Sequence, residues 1–118
     1  MLVNVHTDNH ITGREALVQR VEAEVEGTLS RFGERLNRIE VYLSDENGPK
    51  HGADDKKCLM EARIAGFHPI AAHHNASNLD DAIEGAAEKL ERAIHHAISK
   101  HDETKGGLSM AGDQSDTI

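Results

Sequence analysis

The sequence predicts an α+β domain of order β-α-β-β-β-α: a mixed four-stranded sheet with two helices packed on one face. Three observations lead there. Two stretches repeat their apolar residues at the helical period, four shorter ones alternate at the strand period, and turn residues separate the last three strands. With 118 residues the chain can bury one hydrophobic core and is too short for two.

The elements follow in order. Leu2 to His6 alternates, with Val3 and Val5 on one side, and reads as a short strand. Thr12-Gly13-Arg14-Glu15 has the form of a capping box, in which the Thr12 hydroxyl accepts from a first-turn amide and Glu15 reaches back. A helix should follow, with Leu17, Val21, Val25, Leu29 and Phe32 in one stripe and Gly33 as its stop. From Leu36 the period switches to two. Ile39, Val41 and Leu43 alternate with Glu40, Tyr42 and Ser44 in a half-buried strand. Asp45-Glu46-Asn47-Gly48-Pro49 is turn chemistry, and the polar loop should run to about Asp55.

A third strand places Cys58, Met60, Ala62 and Ile64 on one face and Leu59, Glu61 and Arg63 on the other. Gly66 to Pro69 turns the chain, and Ile70 to Asn75 is a weaker fourth strand because alanine is a poor strand former. Ser77-Asn78 offers an N-cap to the second helix, with Asp80 and Asp81 where the helix dipole favours negative charge. Leu79, Ile83, Ala86, Leu90, Ile94, Ala97 and Ile98 form its apolar face. The pattern stops after Asp102. Residues 1–101 are thus expected to fold as one domain and 102–118 to form a flexible tail.

The first two strands, joined through a helix, should be parallel, and the remaining pairs antiparallel. Each helix has one apolar stripe, so both should lie on the same sheet face. The other face, with Glu40, Tyr42, Glu61 and Arg63, should stay wet.

Composition narrows the chemistry. Apolar residues make up 37% and charged residues 29%, as in an ordinary globular protein. Aromatics are only 3%, so the core must be built from Val, Ile, Leu and Ala. No apolar run approaches the ~20 residues of a membrane helix, and no signal peptide opens the chain. The one cysteine, Cys58, reads as a small buried hydrophobe. With no second cysteine to pair with, it suits a reducing cytoplasm, which is the expected location.

Catalytic and metal signatures are missing. His73 and His74 are strand neighbours pointing to opposite faces, and His95 and His96 are successive helix positions about a hundred degrees apart. No HExxH and no cysteine pair occur, and the Asp80-Asp81 pair is explained by the helix dipole. No metal, cofactor or small-molecule substrate is expected, and no enzyme activity.

The Asn78-Leu79-Asp80-Asp81-Ala82-Ile83-Glu84 and Glu88-Lys89-Leu90-Glu91-Arg92 segments carry a resemblance, together with Ile11-Thr12 and the element order. Over residues 1 to 101 the chain resembles the ribosome hibernation-promoting factors and ribosome-associated inhibitor A proteins, in their short form. The resemblance implies a fold akin to double-stranded-RNA-binding domains. It also implies binding to ribosomal RNA of the small subunit near the decoding site, where such proteins block transfer-RNA and messenger-RNA binding under stress. Position by position, Lys89, Arg92 and Lys100 match the basic residues through which the family contacts RNA. Two positions depart: Asp80 stands where an aromatic is common, and His95-His96 where lysines are common.

The charge balance sets the terms of that expectation. Thirteen Lys and Arg stand against twenty-one Asp and Glu, a net −8 with histidine neutral, whereas nucleic-acid binders usually carry positive excess. Binding must therefore rest on local patches. Candidates are Lys89, Arg92, Lys100 and His96 on the second helix, with Arg31, Arg35 and Arg38 between the first helix and second strand. Nine histidines supply charge on acidification, and His73, His74, His95, His96 and His101 are expected to raise RNA affinity as pH falls. In the plainer reading these cations only solvate the surface and pair locally, as Glu88 and Arg92 could at i,i+4. A protein-interaction module of the same fold, without RNA binding, is the alternative function. The sequence leaves the oligomeric state open.

Overall fold

A computed structural model of the protein describes residues 1–8, 11, 13–45 and 55–106, with side chains as far as residue 101. The order is β1 (Leu2–Thr7), α1 (Arg14–Leu29), a 3-10 turn (Ser30–Arg35), β2 (Leu36–Asp45), β3 (Lys56–Ile64), β4 (Ile70–Ala76) and α2 (Leu79–Gly106). The strands form one sheet in spatial order β1-β2-β3-β4. β1 runs parallel to β2, and β2–β3 and β3–β4 are antiparallel. This is the predicted architecture.

Period-two alternation sorts the sheet into two faces. Cross-strand register lines up Val5, Val41, Met60 and Ala72 in one row, and Leu43, Cys58 and His74 in the next. These rows face the helices. α2 lies across β3 and β4, and α1 packs beside it over β1. Val21, Val25 and Leu29 of α1 meet Ile83, Ala86, Ala87, Leu90 and Ile94 of α2 in the same buried cluster as the sheet residues. Alanines at 82, 86 and 87 leave the α2 backbone little side chain to stand on, so the helix lies close to the sheet. Burial of Cys58 pushes its thiol up to about 12, so it is protonated and unreactive at neutral pH.

Three local features differ from expectation. The first helix ends at Leu29 and not at Gly33; six residues of tighter 3-10 turn carry Phe32 into the core. Gly33, at φ 59° and ψ −138°, then swings the chain toward β2, a backbone setting that glycine reaches without strain. The N-cap position of α1 falls at Gly13, without a side-chain cap. Thr12 itself, the expected cap, lies outside the described residues, as does the turn at 46–49. Finally, α2 continues to Gly106, past the predicted tail boundary at 102. Extending an existing helix adds one hydrogen bond per residue, and Glu103 and Lys105 are good helix formers, so no apolar stripe is required.

The end of β2 and the start of β3 are clamped together by charge. Lys56 Nζ lies 2.9 Å from Asp55 Oδ2 and 3.4 Å from Asp45 Oδ1, and Asp8 Oδ2 accepts from the Asp45 amide at 3.0 Å. The two flanking carboxylates are buried. The hydrogen bond to Asp55, and then the one to Asp45, hold the lysine above its ordinary pKa. Two buried carboxylates need such a partner, because desolvating an unpaired charge costs several kcal/mol (~3–5 when one partner is removed).

Candidate nucleic-acid interface

The site is built on α2, whose start is well defined. Asn78 Oδ1 accepts from the Asp81 amide at 2.8 Å, and Asn78 Nδ2 donates to Asp81 Oδ2 at 3.0 Å, a reciprocal cap. The cap fixes the register of the helix, and with it which side chains share a face.

Lys89, Arg92, His96 and Lys100 stand at i, i+3, i+7 and i+11. At 100° and 1.5 Å per residue they occupy an arc of about 80° over about 16 Å of helix. All four are exposed. Arg92 and His96 make no side-chain hydrogen bond or ion pair with any described residue. The Glu88–Arg92 pair that spacing allows does not form; the neighbouring Glu91 pairs with Arg31, at 3.3 Å. Lys89 Nζ makes one long contact, 3.4 Å, to the His73 carbonyl oxygen. Beside Lys89 and Arg92, a groove of about 540 Å³ opens between the end of β4 and α2, with Asp81, Glu84 and Glu88 on its walls. Acidic residues dominate the first turns of the helix. Asp80, Asp81, Glu84 and Glu88 precede Lys89, and Arg92, His95, His96, Lys100 and His101 follow it, with Glu91 between them and Asp102 and Glu103 beyond.

Two of the three candidate arginines join this basic end. Arg31, in the 3-10 turn, reaches Glu91 and lies 3.4 Å from His95 Nδ1. Arg35 sits over the Phe67 ring at 5.9 Å, and the same ring packs against His101 at 5.0 Å between centroids. Arg38 goes elsewhere. It lies on the helix-free sheet face, its Nε 3.1 Å from Glu40 Oε2, with the sheet between it and α2. The structure thus brings Arg31 and Arg35 to the α2 cations and places Arg38 apart.

The histidines divide in the same way. His95, His96 and His101 belong to the basic end, whereas His73 lies on the open sheet face. His74 points to the helix side. Its ring packs against Gly85 of α2, so closely that a Cβ there would overlap it. Among the described residues, no three His, Cys, Asp or Glu side chains are placed to hold a metal ion.

The Gly85–His74 contact is a feature that sequence reading missed. A glycine inside an otherwise strong helix is its only signal. The contact carries a prediction. Elsewhere in a helix, Gly→Ala gains up to ~1 kcal/mol from backbone entropy. At Gly85 the new methyl must displace the first atoms of an imidazole ring, and overpacking costs about 1–3 kcal/mol. Gly85→Ala is therefore expected to lower the thermal midpoint by several degrees, and Gly85→Ala with His74→Ala to raise it relative to His74→Ala alone. Thermal unfolding followed by circular dichroism measures both.

Fold and site together define a small α+β domain with one sheet face covered by helices, one bare, and a cationic stripe on its last helix. Comparison with known proteins places it more closely. The chain belongs to the family described as Sigma 54 modulation protein / S30EA ribosomal protein, which it matches over residues 3–102. That is the family whose hibernation factors the second-helix segments resemble. No curated protein matches the sequence. Among solved structures, the fold is similar to a ribosomal subunit interface protein from Coxiella burnetii, with a TM-score of 0.70 at 12% identity, covering 84% of this chain and 99% of that one. It is also similar to the N-terminal domain of Protein Y from Thermus thermophilus, with a TM-score of 0.65 at 17% identity, covering 82% and 99%. None of the described helices is long and apolar enough to cross a membrane.

Proposed function

We propose that this protein is a cytoplasmic, ribosome-associated translation inhibitor of the hibernation type, which binds RNA of the small subunit near the decoding site. The observation that carries the proposal is the exposed stripe of Lys89, Arg92, His96 and Lys100 on α2, in which Arg92 and His96 have no side-chain partner among the described residues. In a chain of net −8, an arginine such as Arg92, with no carboxylate partner among the described residues, is available to phosphate at no cost in a broken ion pair. Lys89, Arg92 and Lys100 would hold phosphate oxygens, and His96 would donate a hydrogen bond. Arg31 and Arg35 widen the patch, and Arg38 would meet RNA only across the sheet. The protein acts by occupancy. It is a rigid domain filling the path of transfer RNA and messenger RNA, with no covalent chemistry and no cofactor. Membership of a ribosomal protein family and likeness to a subunit interface protein support this reading.

Chemical probing of small-subunit RNA, with and without the protein, tests it. The expected result is protection of backbone riboses at the decoding region, lost with added salt. A small subunit whose RNA is equally reactive with the protein present would favour the other reading, an interaction module that keeps the fold without RNA binding.

A further inference from the structure

The bare face of the sheet has its own organisation. Register aligns His6, Tyr42, Leu59 and His73 in one row across all four strands. The first two rings stack, 4.7 Å between centroids and 16° between planes. Tyr42 is 43% exposed and Leu2, on the same face, 56%; with Met1 they are the exposed large hydrophobics among the described residues. Most charges here are already satisfied. Glu40 takes hydrogen bonds from His6 at 2.8 Å and Asn4 at 2.9 Å, which hold it below the usual carboxylate range, and it pairs with Arg38. Arg63 pairs with Glu61 at 3.1 Å. An aromatic-aliphatic row flanked by internally neutralised charges suits a protein surface and suits a phosphate chain badly, since Glu40 and Glu61 sit where a strand of RNA would run.

We infer that this face is a self-association surface, on which a second copy of the chain packs sheet to sheet about a two-fold axis lying along the His6–Tyr42–Leu59–His73 row. The charges select that axis. Lys57 and Glu61 lie two residues either side of Leu59, so rotation about the row sets Lys57 of each copy against Glu61 of the other. The same rotation sets Glu40 against Ser44, and Ala71 against Asn75. An axis along the strands would instead oppose Glu40 to Glu61 and Arg38 to Arg63, like against like. Area sets the strength. Four strands ~4.8 Å apart and six to ten residues long offer about 500 Å² per copy, so the pair reaches only the ~1,000 Å² needed for a specific contact. The dimer is therefore weak and forms with concentration.

Sedimentation velocity of the full chain, from about 1 µM to about 500 µM, tests the inference. The expected result is a monomer that becomes a dimer within that range. Because two Lys57–Glu61 contacts form per dimer, E61K or K57E alone should weaken association about tenfold, and the double swap K57E/E61K should restore it. Unchanged circular dichroism shows that each variant is folded. Tyr42 is the only tyrosine and the chain has no tryptophan, so its fluorescence reports on this face directly. It should change along the same concentration curve. A monomer at every concentration would overturn the inference. So would a dimer indifferent to the single reversals or not rescued by the swap. Quenching of Tyr42 by a single-stranded oligoribonucleotide with the protein still monomeric would also overturn it, and would assign the face to RNA.

Discussion

Replacing Lys89 and Arg92 together by glutamate is expected to weaken binding to the small ribosomal subunit by about a hundredfold near 0.1 M salt, or ~2.7 kcal/mol. The size of the effect follows from what each residue does in the free protein. Arg92 has no partner among the described residues, and Lys89 only a 3.4 Å contact to a carbonyl. Losing them costs the fold little, so the effect falls on binding. Each lost phosphate contact also removes a released counterion, so the slope of log affinity against log salt should flatten by about 0.7–0.9 per cation. Titrations across a salt series measure both quantities. Arg20→Glu serves as the control: Arg20 pairs with Glu24 at 2.9 Å, away from the stripe, and its reversal should leave the slope alone.

Leu90→Ala carries the largest expected effect on stability. Leu90 lies one residue after Lys89, so one turn of helix holds both a phosphate-binding candidate and a core anchor. The side chain is fully buried in the cluster that joins α2 to the sheet. Truncations of this kind cost about 2–5 kcal/mol, set by how far the surroundings collapse. Here collapse is restricted, because the alanines at 82, 86 and 87 already let the helix lie close to the strands. A loss of about 3 kcal/mol, or roughly 15 °C in thermal midpoint for a domain this size, is expected from unfolding followed by circular dichroism.

The two variants also separate the roles of one helix. Lys89→Glu/Arg92→Glu should change binding without stability, and Leu90→Ala should change stability first. Sequence pattern made this division legible, because a period of 3.6 fixes which residues share a face once the cap at Asn78 sets the start. The sheet was legible for the same reason: period two alone assigns Val41 and Met60 to the core side and Tyr42 and Leu59 to the bare side.

What pattern could not give is where the chain bends between elements. Arg31, Arg35 and Arg38 look like one group in sequence. The positive φ of Gly33 and the irregular register between Leu36 and Arg38 send the first two toward α2 and the third across the sheet. Tertiary contacts were equally closed to it. Nothing local to Gly85 announces that His74, eleven residues earlier, needs the space of a missing Cβ. Nor does i,i+4 spacing settle an exposed ion pair worth about 0.3–0.5 kcal/mol, which is why Glu88 and Arg92 can stay apart and Arg92 has no partner among the described residues.

Co-sedimentation of the purified protein with small ribosomal subunits, across a salt series at pH 6 and pH 7.5, tests the central claim most directly. The account predicts binding that fades steeply as salt rises and is tighter at pH 6, as expected of a chain with nine histidines. A protein that stays in the supernatant at both pH values, even at low salt, would contradict it.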